Sequence, residues 1–157
     1  MRNSGVIMTN KGKKIFHIVI TIAIMAFIFI QSALTADLSM HESNVIVQWL
    51  SSFLHVQPEM LSFIVRKCAH FLEYLILGIS MFVSACDLSR WKRWKNAILA
   101  FFICAAYAAT DELHQMFVQG RSCEVRDILI DSLGALLGIM IAFLISFLRS
   151  RKKQTEE

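Results

Sequence analysis

The sequence predicts an all-α, polytopic membrane protein with four transmembrane helices and a short outer interfacial helix between the first and second. Three observations carry that fold class. Of the 157 residues, 56% are hydrophobic and only 18% charged, an excess and a deficit against average globular composition. The chain contains four apolar runs near the length of about 20 residues that a hydrocarbon core about 30 Å thick requires. Basic residues gather between and beyond those runs instead of spreading along the chain. The same composition excludes a disordered chain, and 6 Gly with 1 Pro exclude a collagen-like one. Cys68, Cys86, Cys104 and Cys123 form no C-x-x-C pair, and Cys86 and Cys104 fall inside apolar runs. A disulfide-stapled secreted domain is therefore not expected, and free thiols are the default.

The first span runs over about 15–34, interrupted only by His17, Thr21, Gln31 and Ser32. Lys11, Lys13 and Lys14 precede it as in a signal peptide, but the run is long for an h-region and no A-x-A site follows, so a retained span is expected. In the connection that follows, Val45, Ile46, Trp49, Leu50 and Phe53 recur at helical spacing after Ser43 and Asn44. That pattern reads as an amphipathic connecting helix on the outer interface, ended by Pro58, with a lid or substrate-facing element as the alternative. The remaining spans read as about 61–86, 97–118 and 128–148. The whole chain, residues 1–157, reads as one membrane domain without a separate soluble part.

Arg2, Lys11, Lys13 and Lys14 precede span one, Arg90, Lys92, Arg93 and Lys95 lie between spans two and three, and Arg149, Arg151, Lys152 and Lys153 follow span four. The remaining basic residues, Arg66, Lys67, Arg121 and Arg126, fall on the opposite side. The positive-inside rule then predicts a multi-pass protein of the cytoplasmic membrane with both termini in the cytoplasm. The net charge of +4 is explained by topology, with Trp91 and Trp94 as interfacial anchors, so no nucleic-acid partner is expected.

Charged groups within a bilayer are expensive, so their positions carry information. Span two carries Lys67, His70, Glu73 and Tyr74 on one face at i,i+3 and i,i+4 spacing. Span three places Asp111, His114 and Gln115 together, with Glu112 at that face's edge. Span four aligns Asp127, Asp131, Gly134 and Gly138, two carboxylates in line with a small-x-x-x-small seam that predicts close packing. All of these lie toward the outer ends. Arg121 and Arg126 then stand at the mouth, able to pair with Asp127 or Asp131 or to bind a phosphate or carboxylate.

Together these residues resemble the VanZ-like membrane proteins. The resemblance rests on K-x-x-H-F-x-E-Y-x-x-L-G from Lys67 to Gly78, D-E-x-H-Q from Asp111 to Gln115, and G-R-S from Gly120. It adds D-x-x-x-D-x-x-G-x-x-x-G from Asp127 to Gly138 and the pair Gln31-Ser32, so that it covers all four spans. Two positions depart from the pattern: Gln119-Gly120-Arg121 stands where the family commonly has P-G-R, and Asp131 where it often has Asn. The resemblance implies an integral protein of the bacterial cell envelope, in a family whose namesake is linked to resistance to the glycopeptide teicoplanin.

For the cluster, one expectation is a site acting on an amphipathic envelope substrate, such as a lipid-linked or cell-wall precursor. His70 would be general acid or base, since an imidazole titrates near neutrality, oriented by Glu73 or Asp111. Lys67, Tyr74, Glu112, His114, Gln115, Arg121, Arg126, Asp127 and Asp131 would contact the substrate, with the basic members holding anionic groups. The alternative is a non-catalytic network that fixes helix register. An ion path is disfavoured because the cytoplasmic halves of spans two to four show almost no polar residues. The cluster's carboxylates, with His70 and His114, could instead collect a divalent cation, but no H-E-x-x-H or comparable ligand spacing is present; cofactor, metal and oligomeric state are left open, as is whether a reaction is catalysed.

Overall fold

Backbone N–H and C=O groups withdrawn from water must bond within their own segment, and the four apolar runs accordingly become helices. The computed structural model describes residues 10–33, 47, 49, 51–52, 57–118 and 124–155. Helix α1 is Asn10–Ala33, α2 is Pro58–Leu88, α3 is Arg93–Gln115 and α4 is Val125–Thr155. All four are long and apolar enough to cross a membrane. α2 begins with Pro58 in its first turn, where the missing N–H costs no hydrogen bond. α3 stops at Gln115 and not at Val118, because the Phe117 and Val118 N–H groups donate back to the His114 and Gln115 carbonyls at 3.0 Å. The expected interfacial helix falls largely outside the described residues; of that segment Val47, Trp49, Ser51 and Ser52 are helical, with Val47 buried and Trp49 exposed.

Contacts between helices fix their directions. His17 near the start of α1 meets Asp87 at the end of α2, and the Arg93 guanidinium at the start of α3 donates to Ser150 Oγ late in α4 at 2.9 Å. Phe29 late in α1 stacks on His114 late in α3, with ring centroids 4.5 Å apart. Lys67 of α2 pairs with Asp127 at the start of α4. The helices therefore run up, down, up and down, and the start of α1 shares one end of the bundle with the end of α4. That end also holds Arg90, Lys92, Arg93 and Lys95, and is called the basic end below.

The interface between α2 and α4 is the most extensive, and glycine makes it close. A Cβ on Gly134 would run into the Phe71 carbonyl oxygen, one on Gly138 into that of Leu75, and one on Gly78 into that of Ala135. The small-residue seam is thus used for packing within the chain. α3 presents Ala100, Cys104 and Ala108, all fully buried and one helical turn apart, to the same core. Ile28, Tyr74, Leu77 and Ala135 fill one part of that core, and Phe82, Ile139 and Ala142 another. Large apolar side chains such as Phe102, Leu129 and Met140 point outward, an arrangement suited to lipid and unsuited to water. Cys68, Cys86 and Cys104 are free thiols; Cys123 lies outside the described residues.

The basic half of the bundle also carries polar groups. His17 Nδ1 meets Asp87 Oδ2 at 2.5 Å. The Thr21 hydroxyl lies 2.7 Å from Ser80 Oγ and 2.9 Å from Ser84 Oγ and donates to the His17 carbonyl, joining α1 to α2. Asn96, almost fully buried, accepts from Ser89 Oγ at 2.6 Å and ties the end of α2 to the start of α3. Of these groups only Ser80 and Ser84 fall within the basic halves of spans two to four as read from the sequence, and both of their hydroxyls meet Thr21 of the first span.

Candidate functional site

The cluster is assembled from α2, α3 and α4 at the end opposite the basic one. Asp111 lies four residues before the end of α3 and Asp131 six residues after the start of α4. At about 1.5 Å per residue they sit roughly 6 Å and 9 Å inside those helix ends. The i,i+3 and i,i+4 spacing within α2 turns His70, Glu73 and Tyr74 toward them. Asp111 and Asp131 are each 2% exposed and Tyr74 is fully buried. One ligand-capable atom each from His70, Asp111 and Asp131 lies within 4.8 Å of the other two.

Each candidate then takes a definite place. His70 Nδ1 stands 3.7 Å from Glu73 Oε2 on the same helix face, an ion pair when the imidazole is protonated. Asp111 Oδ2 accepts from the Gln115 amide at 3.3 Å, one turn on. Tyr74 has Asp111 and Asp131 as charged neighbours, and neither its hydroxyl nor Asp131 Oδ1 has a hydrogen-bond partner. Such orphaned buried groups each carry a desolvation cost that folding leaves uncompensated.

Other members of the set serve packing. Lys67 Nζ reaches Asp127 Oδ2 and also lies 5.1 Å from the Phe63 ring centroid. The pair is less than one-fifth exposed on either side chain and clamps the first half of α2 to the start of α4. Glu112, 2% exposed, accepts the backbone N–H of Glu124 at 3.0 Å and so anchors the entry into α4 to the end of α3. His114 turns from the cluster toward Phe29 of α1. Arg126 does not pair with Asp127 or Asp131 as the sequence suggested; its guanidinium meets Glu124 at 3.3 Å and is 72% exposed. The reason is geometric: Arg126 adjoins Asp127 in sequence, and i,i+1 side chains do not face each other on a helix. Arg121 lies outside the described residues.

Between α2 and α4 runs an open groove of about 510 Å³. Phe63, Ile64, Cys68, Phe71, Leu72 and Ile130 line it, and Lys67 is its charged residue. Sequence reasoning grouped His70, Asp111 and Asp131 in one polar cluster from three spans but missed this groove, which has no local signal because residues of two helices make it.

Four antiparallel helices long and apolar enough to cross a membrane, with a buried polar cluster at one end, define the class: a small polytopic membrane protein. The family model described as VanZ/LLP1 matches residues 16–146, and the chain belongs to that VanZ-like family. The match spans all four helices, including every member of the cluster. No curated protein and no solved structure matches the chain.

Proposed function

We propose that this VanZ-like protein holds an amphipathic envelope substrate, such as a lipid-linked cell-wall precursor, in a polar pocket facing the cell exterior, and thereby affects susceptibility to teicoplanin. The orientation follows the positive-inside rule, which puts the basic end and both termini in the cytoplasm of a cell-membrane protein. The observation that carries the reading is the pair of orphaned buried groups, Tyr74 Oη and Asp131 Oδ1, in a cluster that also holds Asp111 and His70. A network serving register alone accounts for Lys67–Asp127 and for Glu112 at Glu124, but not for polar atoms left without a partner.

In this reading the substrate's apolar chain lies in the groove beside Lys67 and its polar head reaches the cluster. Arg126 meets an anionic headgroup, since an ion pair this exposed is worth only about 0–1 kcal/mol and yields readily to a phosphate. His70, beside Glu73, is the group suited to take or give a proton. The test is teicoplanin and vancomycin susceptibility of a sensitive host expressing the wild type, His70→Ala, Glu73→Gln or Asp111→Asn, at matched folded protein. Protection by the wild type and its loss in the variants is expected. Protection that survives all three substitutions assigns the cluster to packing, and a wild type without protection removes the link to glycopeptides.

A further inference from the structure

The polar cluster contains an arrangement with a more specific chemistry than a general polar pocket. His70, Asp111 and Asp131 come from three different helices, yet one nitrogen or oxygen of each lies within 4.8 Å of the others. Ligand atoms around a metal with bonds of about 2.0–2.2 Å stand roughly 3–4 Å apart, so small side-chain rotations close the set. We propose that His70, Asp111 and Asp131 form a binding site for a single divalent transition-metal ion, of the Zn2+ or Mn2+ type.

Four further observations favour a cation. The first is charge: two carboxylates 2% exposed and this close together cannot both stay ionised without a cation between them. Lys67, three residues before His70 on α2, is already engaged by Asp127. The second is the orphaned Asp131 Oδ1, an acceptor aimed into the cluster from a side chain removed from solvent. The third is the ring of His70. Its Nδ1 lies 3.7 Å from Glu73 Oε2, and a carboxylate beside the ring recurs around metal-bound histidines. The fourth is the Tyr74 hydroxyl, whose charged neighbours are Asp111 and Asp131; a water completing the coordination shell gives it the partner it lacks. One imidazole and two carboxylates form a borderline-hard donor set, which suits Zn2+ or Mn2+ and not the thiolate-seeking Cu+.

The inference needs no substrate, so its test is independent of the functional reading. Tag-free full-length protein in detergent is stripped with chelator, dialysed, and titrated with ZnCl2 or MnCl2, following bound metal by elemental analysis and the unfolding temperature in parallel. The wild type is expected to take up one equivalent per chain and to gain roughly 5 °C at a hundredfold excess over the Kd. Asp131→Asn, which keeps the side-chain volume, and His70→Gln are each expected to lose at least tenfold in affinity while staying folded without metal. Glu73→Gln, acting through the His70 ring, is expected to weaken binding about tenfold without abolishing it. No uptake of either metal by the wild type overturns the proposal and leaves a proton as the neutraliser of the two carboxylates. Uptake unchanged in Asp131→Asn and His70→Gln overturns it equally, by placing the metal elsewhere.

Discussion

The bundle carries polar groups at both ends, and the two ends treat them differently. At the basic end His17 meets Asp87, and Thr21 meets Ser80 and Ser84, so that each of these side chains on α1 is matched by one or two on α2. At the opposite end Tyr74 Oη, His114 Nδ1, Asp127 Oδ1 and Asp131 Oδ1 are buried without a hydrogen-bond partner. Small hydroxyls that satisfy one another are ordinary adhesive between membrane helices, worth about 0.6 kcal/mol each and rarely more than about 2. Carboxylates, an imidazole and a phenol gathered without full satisfaction are costly, and the cost is tolerated where a ligand completes the set. The contrast separates a polar region whose side chains satisfy one another from one that leaves buried polar atoms unpaired.

Substitutions can break that contrast or sharpen it. The largest effect is expected midway between the two ends, at the seam both depend on. Gly138→Val drives side-chain atoms into the Leu75 carbonyl and should cost at least about 3 kcal/mol, read as loss of monodisperse protein on size-exclusion chromatography in detergent. Next is Lys67→Met, which strands Asp127 in a site less than one-fifth exposed and should cost about 3–5 kcal/mol. The double variant Lys67→Met, Asp127→Asn should recover most of that loss in a thermal-unfolding assay, because no charge is then left without a partner. At the basic end Thr21→Val removes the hydroxyl shared by Ser80 and Ser84 and should cost about 1 kcal/mol with envelope phenotype unchanged. Smallest in stability is Asp131→Asn, expected within about 1 kcal/mol of wild type or above it, since a buried charge is removed. That same variant should nevertheless lose whatever protection the wild type gives in the susceptibility assay. Equal phenotypes for Thr21→Val and Asp131→Asn would erase the distinction between the two ends.

Features with a local period were readable from the sequence. The His70, Glu73 and Tyr74 face follows from i,i+3 and i,i+4 spacing, the α4 seam from Gly134 and Gly138, and the four helices from their apolar runs. Whatever depends on how one helix is rotated against another was not readable. His17 and Asp87 are 70 positions apart, and nothing near either announces the other. Asp111 and Glu112 are adjacent and chemically alike, yet one faces the cluster and the other anchors the Glu124 N–H; only the placement of α4 separates their roles. Of the two uses the sequence left open for Arg126, pairing with Asp127 or Asp131 is not the one taken, and its guanidinium meets Glu124 instead.

The glycine seam has a further meaning for the cluster it adjoins. With the Phe71 and Leu75 carbonyls lying where a Cβ on Gly134 or Gly138 would have to go, the gap between α2 and α4 is fixed by main chain and has no side chain to swing aside. His70 rides on one of these helices and Asp131 on the other, so the seam acts as a gauge block for the aperture between them. On the proposed function, relatives that take a bulkier headgroup should therefore differ first at these small residues, and only afterwards at the polar groups they bring together.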